Sequence, residues 1–142
     1  MTVIEPLINF NGQCEEAIEM YKKAFEAELV VFMRYSDADP KDLHNEMSDS
    51  GTEANKNLIY HAQLKIGNQK LLLCDTVASN FSKNGSIHLA VTFDTAEQVK
   101  TAFTVLSDGA KIIEPLHKTA YCSCIGTLID KFGVYWGVQT VV

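Results

Sequence analysis

One succession of predicted elements occurs twice along the chain, and this duplication restricts the possible folds more than any other feature. In each copy a strand precedes an amphipathic helix and three strands follow it. The predicted strands of the first copy span residues 3–10, 28–35, 58–66 and 70–74. Those of the second copy span residues 87–93, 111–116, 121–129 and 135–142. We therefore expect an α+β fold of paired βαβββ modules, although a chance succession in an ordinary α+β domain would give the same order.

The two modules are expected to form a single domain over residues 1–142, which is an ordinary length for one domain. Module one covers about residues 1–75, a linker covers 76–85, and module two covers about 86–142. The polar stretch of residues 36–57 is the one long loop. Long loops in compact domains are often lids or disordered segments, so the role of this loop stays open.

Apolar residues at three- and four-residue spacing mark the two helices. The first stripe consists of Cys14, Ala17, Ile18, Tyr21, Ala24 and Phe25. The second consists of Ala96, Val99, Ala102, Phe103 and Leu106. Thr95 and Gln98 have the spacing of a capping box, and Gly109 follows as a stop signal, so the second helix is bounded at both ends.

Charge and composition narrow the classes of partner. The chain has 12 Lys and Arg against 18 Asp and Glu, a net charge of −6, and 46% hydrophobic residues. This is an ordinary globular composition, and it lacks the basic stripe with which proteins bind nucleic acid. No apolar run is long enough to cross a bilayer, and the chain does not start like a signal peptide. We expect a cytoplasmic protein with no nucleic-acid or membrane partner.

The four cysteines do not suggest a disulfide framework in a chain of this size and expected compartment. Cys122 and Cys124 lie two apart in a strand-like stretch, so their side chains would share a face. A C-x-C pair without a second Cys or His pair nearby is a poor zinc signal. We interpret both as small buried residues.

Alternation within the strands separates a helix-covered face from an open one. Apolar residues alternate with His61 and Gln63 in one predicted strand, and with His88 and Thr92 in another. A half-buried strand turns its apolar side to the core, so these four side chains should face an open surface. If each sheet curls, the open faces form a hollow suited to a small molecule. His61 could instead make a structural hydrogen bond, for example to Asp75.

The duplication also permits a comparison between the two copies. Phe10 and Phe93 end corresponding strands, and counting back five residues from each places Glu5 opposite His88. A carboxylate and an imidazole in corresponding positions could share a divalent metal. Aligning the copies by their helices shifts this match by several residues, so the pairing is not unique.

Three segments resemble a known family. They are residues 10–21 (FNGQCEEAIEMY), residues 61–67 (HAQLKIG) with LCD at 73–75, and residues 126–136 (GTLIDKFGVYW). In this order they are similar to the PhnB-like branch of the glyoxalase/bleomycin resistance/dioxygenase group, also called the vicinal oxygen chelate superfamily. The resemblance implies paired βαβββ modules, frequent homodimers, and a cleft often holding a divalent metal such as Mn, Ni, Zn or Fe.

The resemblance also implies positions for site residues. His88 corresponds to the metal-binding histidine of the second module, and Glu5 or Pro6 to the ligand of the first. The glutamate expected in the last strand falls on Gly137, and Gln139 on the same face is a weak substitute. Since the superfamily contacts substrate from the strand near residues 121–129, the resemblance implies that Tyr121, Ser123 and Thr127 line the cleft beside the tentative ligands His88 and Glu5. Strand alternation adds His61, Gln63 and Thr92 to the cleft-lining residues, and Gln139 shares the face of Gly137.

The leading hypothesis is a small-molecule-binding protein of this superfamily, PhnB-like and without an assigned activity. The alternative is a divalent-metal-dependent lyase, isomerase or dioxygenase that acts on a small oxygenated substrate. An interaction module whose dimer surface is the function is a third hypothesis. Some relatives carry a demethylubiquinone methyltransferase label, but the chain lacks a Gly-rich loop after its first strand and an alternating βα order. We therefore do not expect methyl transfer.

Overall fold

The computed structural model describes residues 3–38, 55–76, 87–120 and 122–140. The chain divides into two compact units. The first comprises residues 1–22 and 26–82, and the second comprises residues 23–25 and 83–142. Each unit contains one four-stranded sheet.

The succession strand–helix–strand–strand–strand occurs twice, which confirms the predicted pair of βαβββ modules. The first module consists of β1 (Leu7–Phe10), α1 (Cys14–Phe25), β2 (Glu28–Arg34), β3 (Ile59–Ile66) and β4 (Gln69–Asp75). The second consists of β5 (Leu89–Phe93), α2 (Ala96–Leu106), β6 (Lys111–His117), β7 (Ile125–Ile129) and β8 (Tyr135–Thr140). A short 3-10 turn, Tyr35–Asp37, follows β2.

Both sheets have the same connectivity. The strand orders are β1-β4-β3-β2 and β5-β8-β7-β6, and in each sheet the first strand runs parallel to the last. The other neighbouring strands are antiparallel. Phe10 pairs with Asp75, and Phe93 pairs with Thr140. The two modules can therefore be aligned position by position from these pairs.

The helices cover one face of the chain's sheets with the apolar stripes expected from the sequence. In the first unit Cys14, Ala17, Ile18 and Tyr21 are buried, and in the second so are Val99, Ala102 and Leu106. The capping box at the start of α2 is present: the Gln98 N–H donates to Thr95 Oγ1, and the Gln98 side chain accepts from the Thr95 N–H.

Four strands begin later than predicted: β3 by one residue, β5 by two, and β1 and β7 by four each. β1 begins at Leu7 rather than at residue 3, because residues 3–6 are exposed and gain no burial from sheet pairing. β7 begins at Ile125 rather than at residue 121. The N–H groups of Ser123 and Cys124 donate to the side-chain oxygen of Thr140 in β8, at 3.0 and 3.3 Å, instead of to a backbone carbonyl. Cys122 and Cys124 are nevertheless buried, as expected.

The long loop of residues 36–57 is described only at its ends. The N–H of Tyr35 donates to the carbonyl of Leu58 at 2.9 Å, and the Arg34 guanidinium makes two hydrogen bonds to the Glu15 carboxylate at 3.0 and 2.8 Å. These bonds join the start of the loop to its end and to α1. Residues 39–54 lie outside the described residues, as does most of the predicted linker.

No helix within the described ranges is long and apolar enough to span a membrane.

A buried carboxylate in the first unit binds backbone N–H groups of two neighbouring elements. Asp75 is 1% exposed, and its oxygens accept hydrogen bonds from the N–H groups of Cys14 at 3.0 Å and Ile59 at 2.9 Å. The Tyr35 hydroxyl donates to the Asp75 carbonyl at 2.7 Å. Burial raises the pKa of Asp75 more than these hydrogen bonds lower it. The end of β4 is thereby fixed to the start of α1 and of β3.

A second buried carboxylate organises the hairpin between β7 and β8. Asp130 Oδ1 accepts from the N–H groups of Phe132 at 2.9 Å and Val134 at 3.0 Å, and Oδ2 accepts from Trp136 Nε1 at 2.8 Å. Gly133 has a φ of 91°, which favours glycine at this turn. Phe132 and Trp136 are buried, as expected for core residues.

Replacement of Asp130 by alanine should destabilise the protein by about 3 kcal/mol, because three donors lose their acceptor in a buried turn. The midpoint of urea unfolding measures this. Asp108→Ala is the control: its carboxylate is exposed and 3.7 Å from Lys131 Nζ, so its loss should cost less than about 0.5 kcal/mol. A loss below about 1 kcal/mol for Asp130→Ala would contradict this role for the carboxylate.

Candidate ligand-binding faces

Strand alternation gives each sheet one covered and one open face, as the sequence indicated. In β3, Ala62 and Leu64 are fully buried, whereas His61 and Gln63, which alternate with them along the strand, are only half-buried. In the second sheet His88, Ala90 and Thr92 are exposed.

Two groups of hydrogen-bonded side chains, a pair and a set of three, occupy the open face of the first sheet. Gln63 Nε2 and His61 Nε2 are hydrogen-bonded at 2.9 Å. Asn9 Oδ1 accepts from Cys74 Sγ and from Thr76 Oγ1, both at 3.1 Å. The face therefore holds polar groups that already satisfy one another.

The suggested hydrogen bond between His61 and Asp75 is wrong. Asp75 pairs with Phe10 at the covered face, where α1 and β3 supply its donors. Successive residues of a strand point to opposite faces of the sheet, so the pairing of β3 with β4 determines on which face each of these two side chains lies. This pairing could not be derived from the sequence alone.

The thiol of Cys74 is held in its protonated form. Burial, together with the charge of Asp75, raises the pKa of Cys74 to about 11, although a hydrogen bond with Thr76 opposes this. Burial raises the pKa of Cys14 as well. All four cysteines are free.

On the second sheet the open face carries an aromatic pair beside a glycine. The rings of His88 and Tyr135 lie 4.5 Å apart between centroids, at 35° to each other. A Cβ atom placed on Gly137 would lie 3.6 Å from His88 Nε2 and 3.6 Å from Thr127 Cγ2. Gln139 Nε2 donates to Thr92 Oγ1 at 3.3 Å. His88, Thr92, Thr127 and Gln139 thus lie around one glycine on one face.

The remaining expected site residues lie elsewhere or outside the described part. The Ser123 hydroxyl is 3.0 Å from Thr140 Oγ1, just before β7. Glu5 is exposed ahead of β1, in the other unit from His88, so their shared metal site stays a prediction. Tyr121 lies outside the described residues.

The groups around His88 do not fit the metal site that the resemblance implies. The position beside its imidazole, from which a carboxylate would reach a shared metal, is Gly137. The Gln139 amide on the same face donates to Thr92. Among the residues that the structure describes, no three His, Cys, Asp or Glu side chains lie close enough together to hold a metal ion. A protein zinc site ordinarily has three or four such ligands.

Sequence reasoning did not single out Tyr135 and Ala90 as parts of this face. Ala90 carries no polar group, and Tyr135 lies directly after a turn, so neither stood out by its chemistry. The register of β8 with β5 and β7 is what shows them: Gly137 pairs with both Ala90 and Thr127.

Comparisons with known proteins agree with this fold. The model of the family described as 3-demethylubiquinone-9 3-methyltransferase matches residues 2–139. Protein YjdN of Escherichia coli (strain K12) is 26% identical over 140 residues, which cover 97% of this chain and 95% of YjdN.

Solved structures give the same result. A putative 3-demethylubiquinone-9 3-methyltransferase, PhnB protein, from Bacillus cereus has a TM-score of 0.77 and 27% identity, covering 99% of this chain and 100% of that one. A glyoxylase/bleomycin resistance protein/dioxygenase domain from Frankia sp. EAN1pec has a TM-score of 0.66 at 10% identity, covering 100% and 93%. The Frankia likeness concerns the fold alone. The paired-module fold of the vicinal oxygen chelate superfamily is confirmed.

The raised pKa of Cys74 predicts slow labelling by thiol reagents. Only the thiolate reacts, so at pH 7.5 labelling should be on the order of a hundredfold slower than for the same residue in urea-unfolded protein. The rate should rise about tenfold per pH unit from pH 7 to 9.5, because the pKa lies above this range. Timed alkylation followed by peptide mass spectrometry measures it, with Cys74→Ser as control. A rate that levels off near pH 9 would contradict the prediction.

Proposed function

The chain belongs to the family described as 3-demethylubiquinone-9 3-methyltransferase, in the PhnB-like branch of the vicinal oxygen chelate superfamily, and we propose that it binds a small molecule on the open face of the second sheet. The ligand-binding group is the set His88, Thr92, Thr127, Tyr135 and Gln139 around Gly137. His61 and Gln63 line the corresponding face of the first sheet, where we propose a secondary role.

The methyl transfer named in the family description is not part of this proposal. Nucleotide-type cofactors usually lie at the carboxyl ends of parallel strands that alternate with helices. Each sheet of this chain has a single parallel strand pair, with antiparallel neighbours and one helix per module. The architecture instead offers an open sheet face with a few polar groups, which suits binding of a small molecule.

The observation that carries the proposal is the contact of His88 with Gly137. The imidazole is exposed, packs against the Tyr135 ring at a tilt of 35°, and lies beside Gly137, which has no carboxylate. An imidazole in this setting can accept or donate a hydrogen bond to a ligand. We propose that it acts as such a contact and that binding does not depend on Mn, Ni, Zn or Fe.

We further propose a cytoplasmic homodimer. Four free cysteines are consistent with a reducing compartment. β6 is exposed along most of its length at the edge of its sheet, including Ile112 at 42% and Ile113 at 40%. Edge strands with exposed apolar residues are common sites of pairing or packing with a second chain.

A fragment panel tests the proposed function. Protein stripped with a chelator should bind members of the panel in ligand-observed NMR. His88→Ala should weaken this binding at least tenfold, about 1.4 kcal/mol, because one wall of the face is removed. Lys100→Ala is the matched control: Lys100 is an exposed residue of α2, and its loss should change nothing.

The metal-dependent alternative gives the opposite pattern. Fragments would then bind only after addition of Mn, Ni, Zn or Fe(II), and the metal would raise the melting temperature by mass action. That pattern, or fragment binding unaffected by His88→Ala, would refute the proposed function.

A further inference from the structure

One row of side chains on the open face of the second sheet ends in a cation. Lys111 in β6 pairs with Ile129 in β7, and Ile129 pairs with Tyr135 in β8. Residues directly opposite each other in neighbouring antiparallel strands have their side chains on the same face. The Tyr135 ring lies 4.5 Å from the His88 ring, between centroids. Lys111, Ile129 and Tyr135 therefore form one row across three strands, and His88 continues it.

This row is accessible from outside the protein. Lys111 and His88 are exposed, and Ile129 and Tyr135 are half-buried. Trp136 follows Tyr135 in the chain but lies on the helix-covered face and is only 2% exposed. A molecule that approaches the open face can therefore contact an ammonium group, an aliphatic side chain and an aromatic ring in one line.

The equivalent row of the first sheet has a different distribution of charge. It consists of Glu28 in β2, Lys65 in β3 and Lys70 in β4. Glu28 lies opposite Lys65, so this row contains both signs of charge on neighbouring strands. In the second sheet Lys111 stands at the position of Glu28, and the two lysines have an aliphatic and an aromatic residue as their equivalents. The charge at the edge is thus inverted, and the residues beside it are uncharged.

Lys111 forms no ion pair with any residue that the structure describes. Its cross-strand neighbour is Ile129, and the Glu114 carboxylate in the same strand lies 3.8 Å from His117 Nε2. Charged residues often protect an edge strand from pairing with other chains. Glu28 occupies the same position on the edge strand of the first sheet, so edge protection does not require a cation here. The sign of the charge at Lys111 therefore needs another explanation.

We infer that the open face of the second sheet binds a small organic carboxylate, whose charged group pairs with Lys111 and whose apolar or aromatic body lies over Ile129 and Tyr135. This inference rests on the proposed function and adds the ligand class. Neighbouring strands are about 4.8 Å apart, so β6 and β8 are separated by about 10 Å. A ring joined to a carboxylate by a short chain spans this distance. The ammonium group supplies a charge-assisted hydrogen bond, and the Tyr135 ring supplies an aromatic contact.

A pair of probes that differ in charge tests the inference. We expect 3-phenylpropanoate to bind about fivefold more tightly than the neutral 3-phenylpropanamide, as for one exposed ion pair. This preference should shrink as salt is added, because salt screens exposed charges. Acetate, which lacks the apolar body, should bind at least tenfold more weakly than 3-phenylpropanoate. Titrations followed by ligand-observed NMR on chelator-treated protein measure these affinities. Equal binding of the carboxylate and the amide would overturn the inference.

Variants of Lys111 separate the ion pair from a general effect of charge. Lys111→Gln should abolish the preference for the carboxylate, and Lys111→Arg should retain it. Lys111→Glu, which introduces the charge found at the equivalent position of the first sheet, should favour the amide. Lys100→Gln is the matched control, because it removes one positive charge from an exposed position of α2 and should change neither affinity.

Two outcomes distinguish failure of the inference from failure of the proposed function. An unchanged preference for the carboxylate in Lys111→Gln would overturn the assigned ion pair. If neither probe binds while other fragments still bind through His88, the ligand class is wrong and the proposed function stands.

Discussion

The register between β5 and β8 is the constraint on which the second unit depends. Their parallel pairing sets Leu89 opposite Trp136 and Ala90 opposite Gly137. The side-chain period of a strand is two, so a slip of one residue would exchange the covered and open faces. The buried Trp136, held through its indole N–H by Asp130, makes such a slip costly. The same register that buries the core therefore brings His88, Thr127 and Gln139 around one glycine.

Equivalent positions in the two modules serve different purposes on one scaffold. Asp75 and Thr140 both end the last strand of a module, and both bind N–H groups at or just before the third strand. Both modules thus keep, at the end of the last strand, a polar side chain that binds backbone N–H groups. The open faces have diverged: Leu72 in the first sheet corresponds to Gly137 in the second, and Lys70 corresponds to Tyr135. Duplication thus leaves one module free to change its face while the framework is kept.

Much of the fold could be predicted because its signals are periodic and local. The helix stripes, the Thr95–Gln98 capping box and the alternation around His61 and His88 all follow from spacing in sequence. Strand starts were less predictable: β7 begins at Ile125 because Thr140, distant in sequence, binds the N–H groups before it. Such long-range bonds leave no local pattern.

The candidate site was predictable in part for the same reason. The side chains of His88, Thr92, Thr127 and Gln139 could be assigned to one face by parity, and the significance of Gly137 as a missing carboxylate was visible from the resemblance. The distance from Gly137 to His88 and the unpartnered hydroxyl of Thr127 depend on packing across three strands. Neither could be read from the order of residues.

The most direct measurement of the central claim is the pattern of backbone amide shifts when a fragment that binds the protein is titrated into isotope-labelled protein. The account predicts the largest shifts at Ala90, Thr127 and Gly137, which pair with one another in the second sheet. Largest shifts at Leu7, Gln63 and Leu72, the equivalent row of the first sheet, would contradict it.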